Sequence, residues 1–128
     1  MKNKYKDLTI IIVTFHSSFY LKKILNKLKK LRVVIVENSN DINFKKNIEK
    51  KYENVNCILS GSNIGFGCAI NLAIKKFNSS FYLIINPDCE FDSKVIYNLY
   101  KLIKVNKKIT AISPTTIDKK FKMASSLE

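Results

Sequence analysis

Glycine and proline are scarce in this chain. Three Gly and two Pro among 128 residues argue against a disordered tract and against a fibrous repeat. Cysteine is as sparse. Cys57, Cys68 and Cys89 are odd in number, far apart and form no CxxC pair, which argues against a disulfide framework or a zinc site and fits a reducing cytosol. His16 is the only histidine, so a nucleophilic triad or a His-rich metal centre finds little support. The longest apolar run, LTIIIVTF at residues 8–15, is too short to span a bilayer. No small-residue cleavage site follows it, as a secretory signal requires.

Acids are also few, ten against 23 Lys and Arg, for a net charge of +13. Such a balance suits nucleic acid, an anionic membrane surface or a phosphorylated substrate. The lysines of LKKILNKLKKLR (21–32) and FKKNIEKKYE (44–53) alternate with apolar residues at helical spacing. That spacing favours a solvated helix face over a specific nucleic-acid patch. Hydrophobic residues make up 46% of the chain, enough for the core of one domain or part of one. The ending MASSLE reads as an appended tail. Residues 1–121 are therefore expected to form the domain, with 122–128 set apart and the chain a truncated piece of a longer protein.

Strand and helix patterns alternate strictly. LTIIIVTF is uninterrupted and β-branched, as for a strand buried on both faces. VVIV (33–36), VNCIL (55–59) and FYLIIN (81–86) follow the same logic, and ITAIS (109–113) is read as a fifth strand. Between them, Leu21, Ile24, Leu25, Leu28 and Leu31 recur at helical spacing behind Ser17 or Ser18 as cap. Phe44, Ile48 and Tyr52 do so behind Asn40 or Asp41. Phe66, Ile70, Ala73, Ile74 and Phe77 are expected to face inward on a third helix, and Ile96, Leu99, Leu102 and Ile103 on a fourth capped by Ser93. The expected fold is a three-layer α/β/α sandwich with a mainly parallel sheet and right-handed crossovers. Ligands then bind outside the carboxyl ends of the strands.

Those ends carry TFHSS, ENSND, SGSNIGFG and NPDCEFD. Thr14 offers a hydroxyl and Phe15 a stacking face, although Phe15 also suits core packing and His16 a plain turn. Glu37 follows four aliphatic residues, where a carboxylate can accept from a ribose hydroxyl or a base imino group, or simply cap a helix. The third segment holds all three glycines, and its following helix directs N–H groups at a phosphate. GFGCAI completes only part of GxGxxG, and no such fingerprint follows the first strand, so a dinucleotide fold is disfavoured. The last segment gathers Asp88, Glu90 and Asp92 within five positions. Asp92 suits a helix start. Asp88 lies too far upstream for that, and Pro87 stops the strand just before it. A hard cation such as Mg²⁺ or Mn²⁺ takes one or two carboxylates plus substrate phosphate oxygens, which makes Asp88 the metal candidate.

Four blocks, LTIIIVTFHSS, VVIVENSN, SNIGFGCAINLAI and YLIINPDCEF, occur in this order over roughly residues 7–116. Together they resemble a family 2 glycosyltransferase of the rhamnosyltransferase-like subgroup, whose members read VTYN, VVDNxS, NxGFGxxxN and LLNPD. The resemblance implies a GT-A fold, here only its N-terminal donor-binding half, and a UDP- or dTDP-sugar donor. It implies that Thr14, Phe15 and Glu37 hold the nucleoside and that Asn63, Gly65 and Asn71 belong to the middle block, with Asn71 lining the donor pocket. Asn86 stands where the first Asp of a DxD motif often stands, and Asp88 would meet the metal and diphosphate. Glu37 replaces the usual Asp, and Phe15 and His16 replace Tyr and Asn. The family's general base lies in a C-terminal half that this chain is expected to lack, so no residue is assigned to that role.

These readings amount to an inverting, metal-assisted hexosyl- or deoxyhexosyltransferase of cell-surface polysaccharide biosynthesis. Its acceptor would be a glycan or a lipid-linked sugar. It would sit in the cytoplasm, peripherally against an anionic inner membrane face. The competing readings are a noncatalytic nucleotide-sugar-binding module and a basic nucleic-acid-binding domain. The latter lacks an RNP-like aromatic pair or a helix-turn-helix signal.

Overall fold

The computed structural model describes residues 5–115. The chain divides into two compact units, the first ending at Glu90 and the second starting at Phe91. The first runs β1 (Leu8–Thr14), α1 (Ser18–Lys27), β2 (Arg32–Glu37), α2 (Ile42–Lys51), β3 (Val55–Leu59), α3 (Phe66–Lys76) and β4 (Phe81–Ile84). The strands form one sheet in the order β3-β2-β1-β4, with every neighbouring pair parallel.

Two crossovers step from β1 to β2 to β3 in one direction, and the third returns from β3 across the sheet to β4. Right-handed connections therefore place α1 and α2 on one face and α3 on the other. The side-chain alternation agrees. Ile11, Val34, Val36 and Ile58 form a buried cluster with Ala69 and Ala73 of α3. Ile10, Ile12, Val33 and Ile35, fully buried, alternate to the α1/α2 face, where Leu21, Ile24 and Leu25 are buried on α1. Each such aliphatic side chain contributes about 1.5–3 kcal/mol on burial. The three-layer α/β/α expectation holds.

β3 is an edge strand, and α2 covers its outer rim. Glu49 Oε1 accepts from the Cys57 amide at 2.7 Å and from Lys45 Nζ at 3.0 Å. Lys45 also donates to the Cys57 carbonyl. An edge N–H and C=O that would otherwise invite strand addition are thereby satisfied. Burial pushes the Cys57 thiol up to about 12, so the thiol is structural and not a nucleophile at neutral pH.

Several local expectations change. Residues 109–113 form no strand: β-branched composition does not make a strand without a ladder to join, and among the described residues none pairs with this segment. On α3, Phe66 and Ile74 are exposed, while Ala69 and Ala73 are fully buried. The small residues allow the helix to approach the sheet closely, which rotates the larger ones outward. β1 ends at Thr14 rather than Phe15, and regular β4 at Ile84 rather than Asn86. The Ile85 amide still donates to the Ile11 carbonyl at 3.0 Å.

Helix α2 begins as expected at Asp41, whose carboxylate accepts from the Phe44 amide at 2.9 Å. The Ser17 hydroxyl turns back to the Phe15 carbonyl instead of capping α1. The second unit contains α4 (Ser93–Val105), capped by Asp92 and not by Ser93: Asp92 Oδ1 accepts from the Lys94 amide at 2.9 Å. Its buried residues are Ile96 and Tyr100, while Leu102 is exposed. The proposed tail at 122–128 lies outside the described residues.

Candidate functional site

The carboxyl ends of β1 and β2 are joined by a buried polar pair. Parallel register places Thr14 beside Glu37, and Thr14 Oγ1 donates to Glu37 Oε2 at 2.6 Å. Oε1 accepts from the Ser39 amide at 2.6 Å and from the Ser39 hydroxyl. Glu37 is only 3% exposed, yet three donors serve its charge. A carboxylate offers about four lone-pair positions, so one remains for a ligand donor. Thr14 is fully buried, and its single hydroxyl hydrogen is committed to Glu37. Thr14 therefore acts as a positioning residue for that carboxylate.

Asn38, which the sequence reading passed over, extends this node. Its amide donates to the Thr14 carbonyl at 2.8 Å and its side-chain nitrogen to the Gly65 carbonyl at 3.4 Å. It is 3% exposed, and among the described residues its Oδ1 has no hydrogen-bond partner. Two sequence signals pointed to it: its place one residue past a buried strand, and its match to the Asn of the VVDNxS block.

The loop between β3 and α3 is fastened to the same node. The Ser60 amide donates to the Glu37 carbonyl at 3.2 Å, and the Ser60 hydroxyl lies between that carbonyl at 3.1 Å and the Ser62 carbonyl at 2.6 Å. Asn63 Oδ1 accepts from the Gly65 amide at 3.1 Å, an Asx turn that shapes the approach to the helix. Gly65, the α3 N-cap, has φ +79°, a conformation in which a Cβ is strained. Gly65 itself has no side chain to cap α3, and among the described residues no side-chain cap replaces it. Asn71 is exposed on the second turn of this helix.

β1 and β4 are neighbours, and the connection leaving β1 runs toward β2 while the one entering β4 comes back from β3 on the other face, so the switch point of the sheet lies between them. Phe15 and His16 leave β1 on one side of it. Phe15 is about half exposed, its ring edge-on to His16 at 4.5 Å, and His16 takes φ +53° in the turn. Asn86, Pro87 and Asp88 leave β4 on the other side. The Cys89 amide donates to the Asn86 carbonyl at 3.2 Å, closing a turn with proline at its favoured second position. Asn86 and Asp88 are exposed. The acids downstream have other duties: Glu90 pairs with Lys23 of α1, and Asp92 caps α4.

The structure thus brings Thr14, Glu37, Asn38 and the Asn63–Gly65 turn into one bonded network. It sets Phe15, Asn86 and Asp88 at the strand ends flanking the switch point. Among the described residues no three His, Cys, Asp or Glu side chains converge to hold a metal. The donor set is a lone exposed carboxylate. That fits a cation arriving with a diphosphate, which needs only one or two protein carboxylates, and does not fit a standing metal cage.

The profile of glycosyl transferase family 2 matches residues 9–126. The chain belongs to this family. It is similar to the low-salt glycan biosynthesis hexosyltransferase Agl10 of Haloferax volcanii, with 27% identity over 118 residues, covering 88% of this chain and 38% of the relative. Its fold is similar to that of S. aureus TarS in a crystal structure of residues 1–349. The TM-score is 0.62 at 22% identity, over 77% of this chain and 32% of that one. The matched part of the chain therefore spans about a third of the length of these proteins. Among the described residues no helix is long and apolar enough to cross a membrane.

Proposed function

We propose that this chain binds the donor in a glycosyltransferase that moves a hexosyl or deoxyhexosyl unit from a UDP- or dTDP-sugar to a glycan or lipid-linked acceptor. Family membership supports the reaction class, and the name of the Haloferax relative supports a hexosyl donor. The rhamnosyltransferase-like blocks keep a deoxyhexose within this reading. The observation that carries it is the Glu37 node: a buried carboxylate held by three donors, one acceptor position spare, at the carboxyl edge of a parallel sheet.

In this reading Glu37 accepts from the base or ribose, with Thr14 and Ser39 fixing the direction of its lone pairs. The spare Oδ1 of Asn38 offers a second acceptor. Phe15 gives a ring face to the base. The uncapped start of α3 after Gly65 directs amides toward phosphate oxygens. Asp88 would hold Mg²⁺ or Mn²⁺, and the bound ion would neutralise charge on the departing nucleoside diphosphate. In an inverting transfer a general base takes the acceptor proton, a role that falls to none of the residues assigned here. Work of this kind belongs in the cytoplasm, in cell-surface polysaccharide biosynthesis.

Thermal denaturation with nucleotides tests the reading, because a ligand bound only by the folded state raises the melting temperature. UDP or dTDP with Mn²⁺ is expected to raise it clearly and ADP with Mn²⁺ much less. Equal shifts from all three would mean nonspecific attraction to a basic protein, and the reading would fail.

A further inference from the structure

No acid occurs between Asp7 and Glu37, and α1 lies within that interval. Its buried stripe is Leu21, Ile24 and Leu25, continued by Leu28. At 100° per residue, Phe19 falls almost opposite the centre of that stripe. It is 89% exposed, and Tyr20 beside it is 54% exposed, the two rings edge-to-face at 5.5 Å. A phenylalanine at this position adds nothing to the core and exposes apolar surface to water. Lys22, Lys23 and Lys27 surround it on the same helix, and Lys29 and Lys30 follow in the next turn.

A groove of about 570 Å³ opens beside α1, lined by Lys22, Asn26, Lys29, Lys51 and Tyr52, with Glu53 its one acid. Asn54 builds one wall by donating to the Leu28 and Leu31 carbonyls at 2.9 and 2.7 Å. Lys51 stands 5.5 Å over the Tyr52 ring. Among the described residues neither Lys22 nor Lys29 has a carboxylate partner. Three ammonium groups thus border one concavity with little countercharge.

We infer that the outer face of α1, with the groove toward α2, docks on an anionic phospholipid bilayer. Phe19 and Tyr20 enter the headgroup layer while Lys22, Lys29 and Lys51 take lipid phosphates. Exposed aromatic residues ringed by lysine suit a membrane interface, where the ring leaves water and the ammonium meets phosphate. The edge-to-face pair is less suited to stacking nucleic-acid bases, which need a free ring face. This inference stands on α1 and the groove and is independent of the nucleotide reading.

The chain contains no tryptophan, so Phe19→Trp installs a single reporter in the full chain. On phosphatidylcholine vesicles doped with phosphatidylglycerol its emission is expected to shift to the blue, and on pure phosphatidylcholine to stay unchanged. Each basic residue near an anionic surface is worth about five-fold in partition. Lys22→Gln/Lys51→Gln is therefore expected to lose roughly 25-fold in vesicle cosedimentation. Lys75→Gln/Lys76→Gln, on the opposite layer, is expected to lose less than about three-fold. Equal losses from the two pairs would show attraction by net charge alone and overturn the inference. Bound protein with unshifted Phe19→Trp emission would overturn it too, as would tighter binding to duplex DNA than to anionic vesicles at the same salt.

Discussion

Thr14 Oγ1 donates to Glu37 Oε2 at 2.6 Å across 23 residues of sequence, and both side chains are buried. A hydrogen bond to a buried charge is worth about 1.5–3 kcal/mol, and leaving the charge short of a donor costs as much. Thr14→Val keeps the shape and removes the donor, so it is expected to destabilise the fold by about 1.5–3 kcal/mol. The midpoint of urea denaturation reads this directly.

Glu37→Gln separates structure from binding. It replaces one acceptor oxygen by an NH₂ that cannot receive from Thr14 or Ser39, so it too is expected to lower stability. If the spare lone pair of Glu37 meets the nucleoside, the same change also weakens UDP binding by about 1–3 kcal/mol. Calorimetric titration of UDP on the folded variant decides between the roles. Lost stability with unchanged UDP affinity would make Glu37 a structural acid only.

The order of strands and helices was legible because four apolar runs and four amphipathic stretches each carry their own period. What Glu37 does was less so. From the sequence it read as an acid at a strand end, able to accept from a nucleoside or to cap a helix. Its burial depends on Thr14 and Ser39 supplying donors, and the Thr14 contact is set by parallel register, which local pattern does not encode. Asn38 was missed for the same reason, since its partners are Thr14 and Gly65. ITAIS at 109–113 failed in the opposite sense: its composition suits a strand, but a strand needs a neighbour. On α3 Ile70, Ala73 and Phe77 face the core as expected, while Phe66 and Ile74 at the edges of the stripe do not, because Ala69 and Ala73 at its centre bring the helix close to the sheet.

Acid sensitivity is expected to pass partly through the β3 edge. Desolvation pushes the Glu49 carboxyl up, but the Cys57 amide and Lys45 together outweigh it, and the group sits below its ordinary value of 4.5. A carboxyl lowered on folding stabilises the fold fully above the unfolded value and loses that contribution as pH falls through the folded one. The urea midpoint of the wild type is therefore expected to decline below about pH 4.5. Glu49→Gln is expected to lower the midpoint at pH 7 and flatten this decline. With both side chains about a third exposed, the ionic part amounts to less than about 1 kcal/mol. Parallel pH profiles for the two proteins would refute the assignment.

The three acids at 88–92 separate by their partners. Glu90 is held by Lys23 and Asp92 by the Lys94 amide at 2.9 Å, which leaves Asp88, exposed after the Pro87 turn, as the carboxylate placed for a cation. Mg²⁺ gives up its waters reluctantly and needs phosphate oxygens to complete its shell, so Mg²⁺ alone is expected to bind weakly. Asp88→Asn removes the charge and keeps the shape. It is expected to abolish the gain in UDP affinity that Mn²⁺ confers while leaving the melting temperature of the free protein unchanged, since the side chain is exposed. Asp92→Asn is expected to do the reverse. It leaves the Mn²⁺ effect intact and costs at most about 1 kcal/mol, because Asn still caps a helix and only the favourable charge at its N-terminus is lost. Calorimetric titrations of UDP with and without Mn²⁺ on both variants read the difference. If Asp88→Asn retains the Mn²⁺ effect and Asp92→Asn loses it, the cation belongs to Asp92, and the cap seen at α4 is the lesser of that residue's two duties.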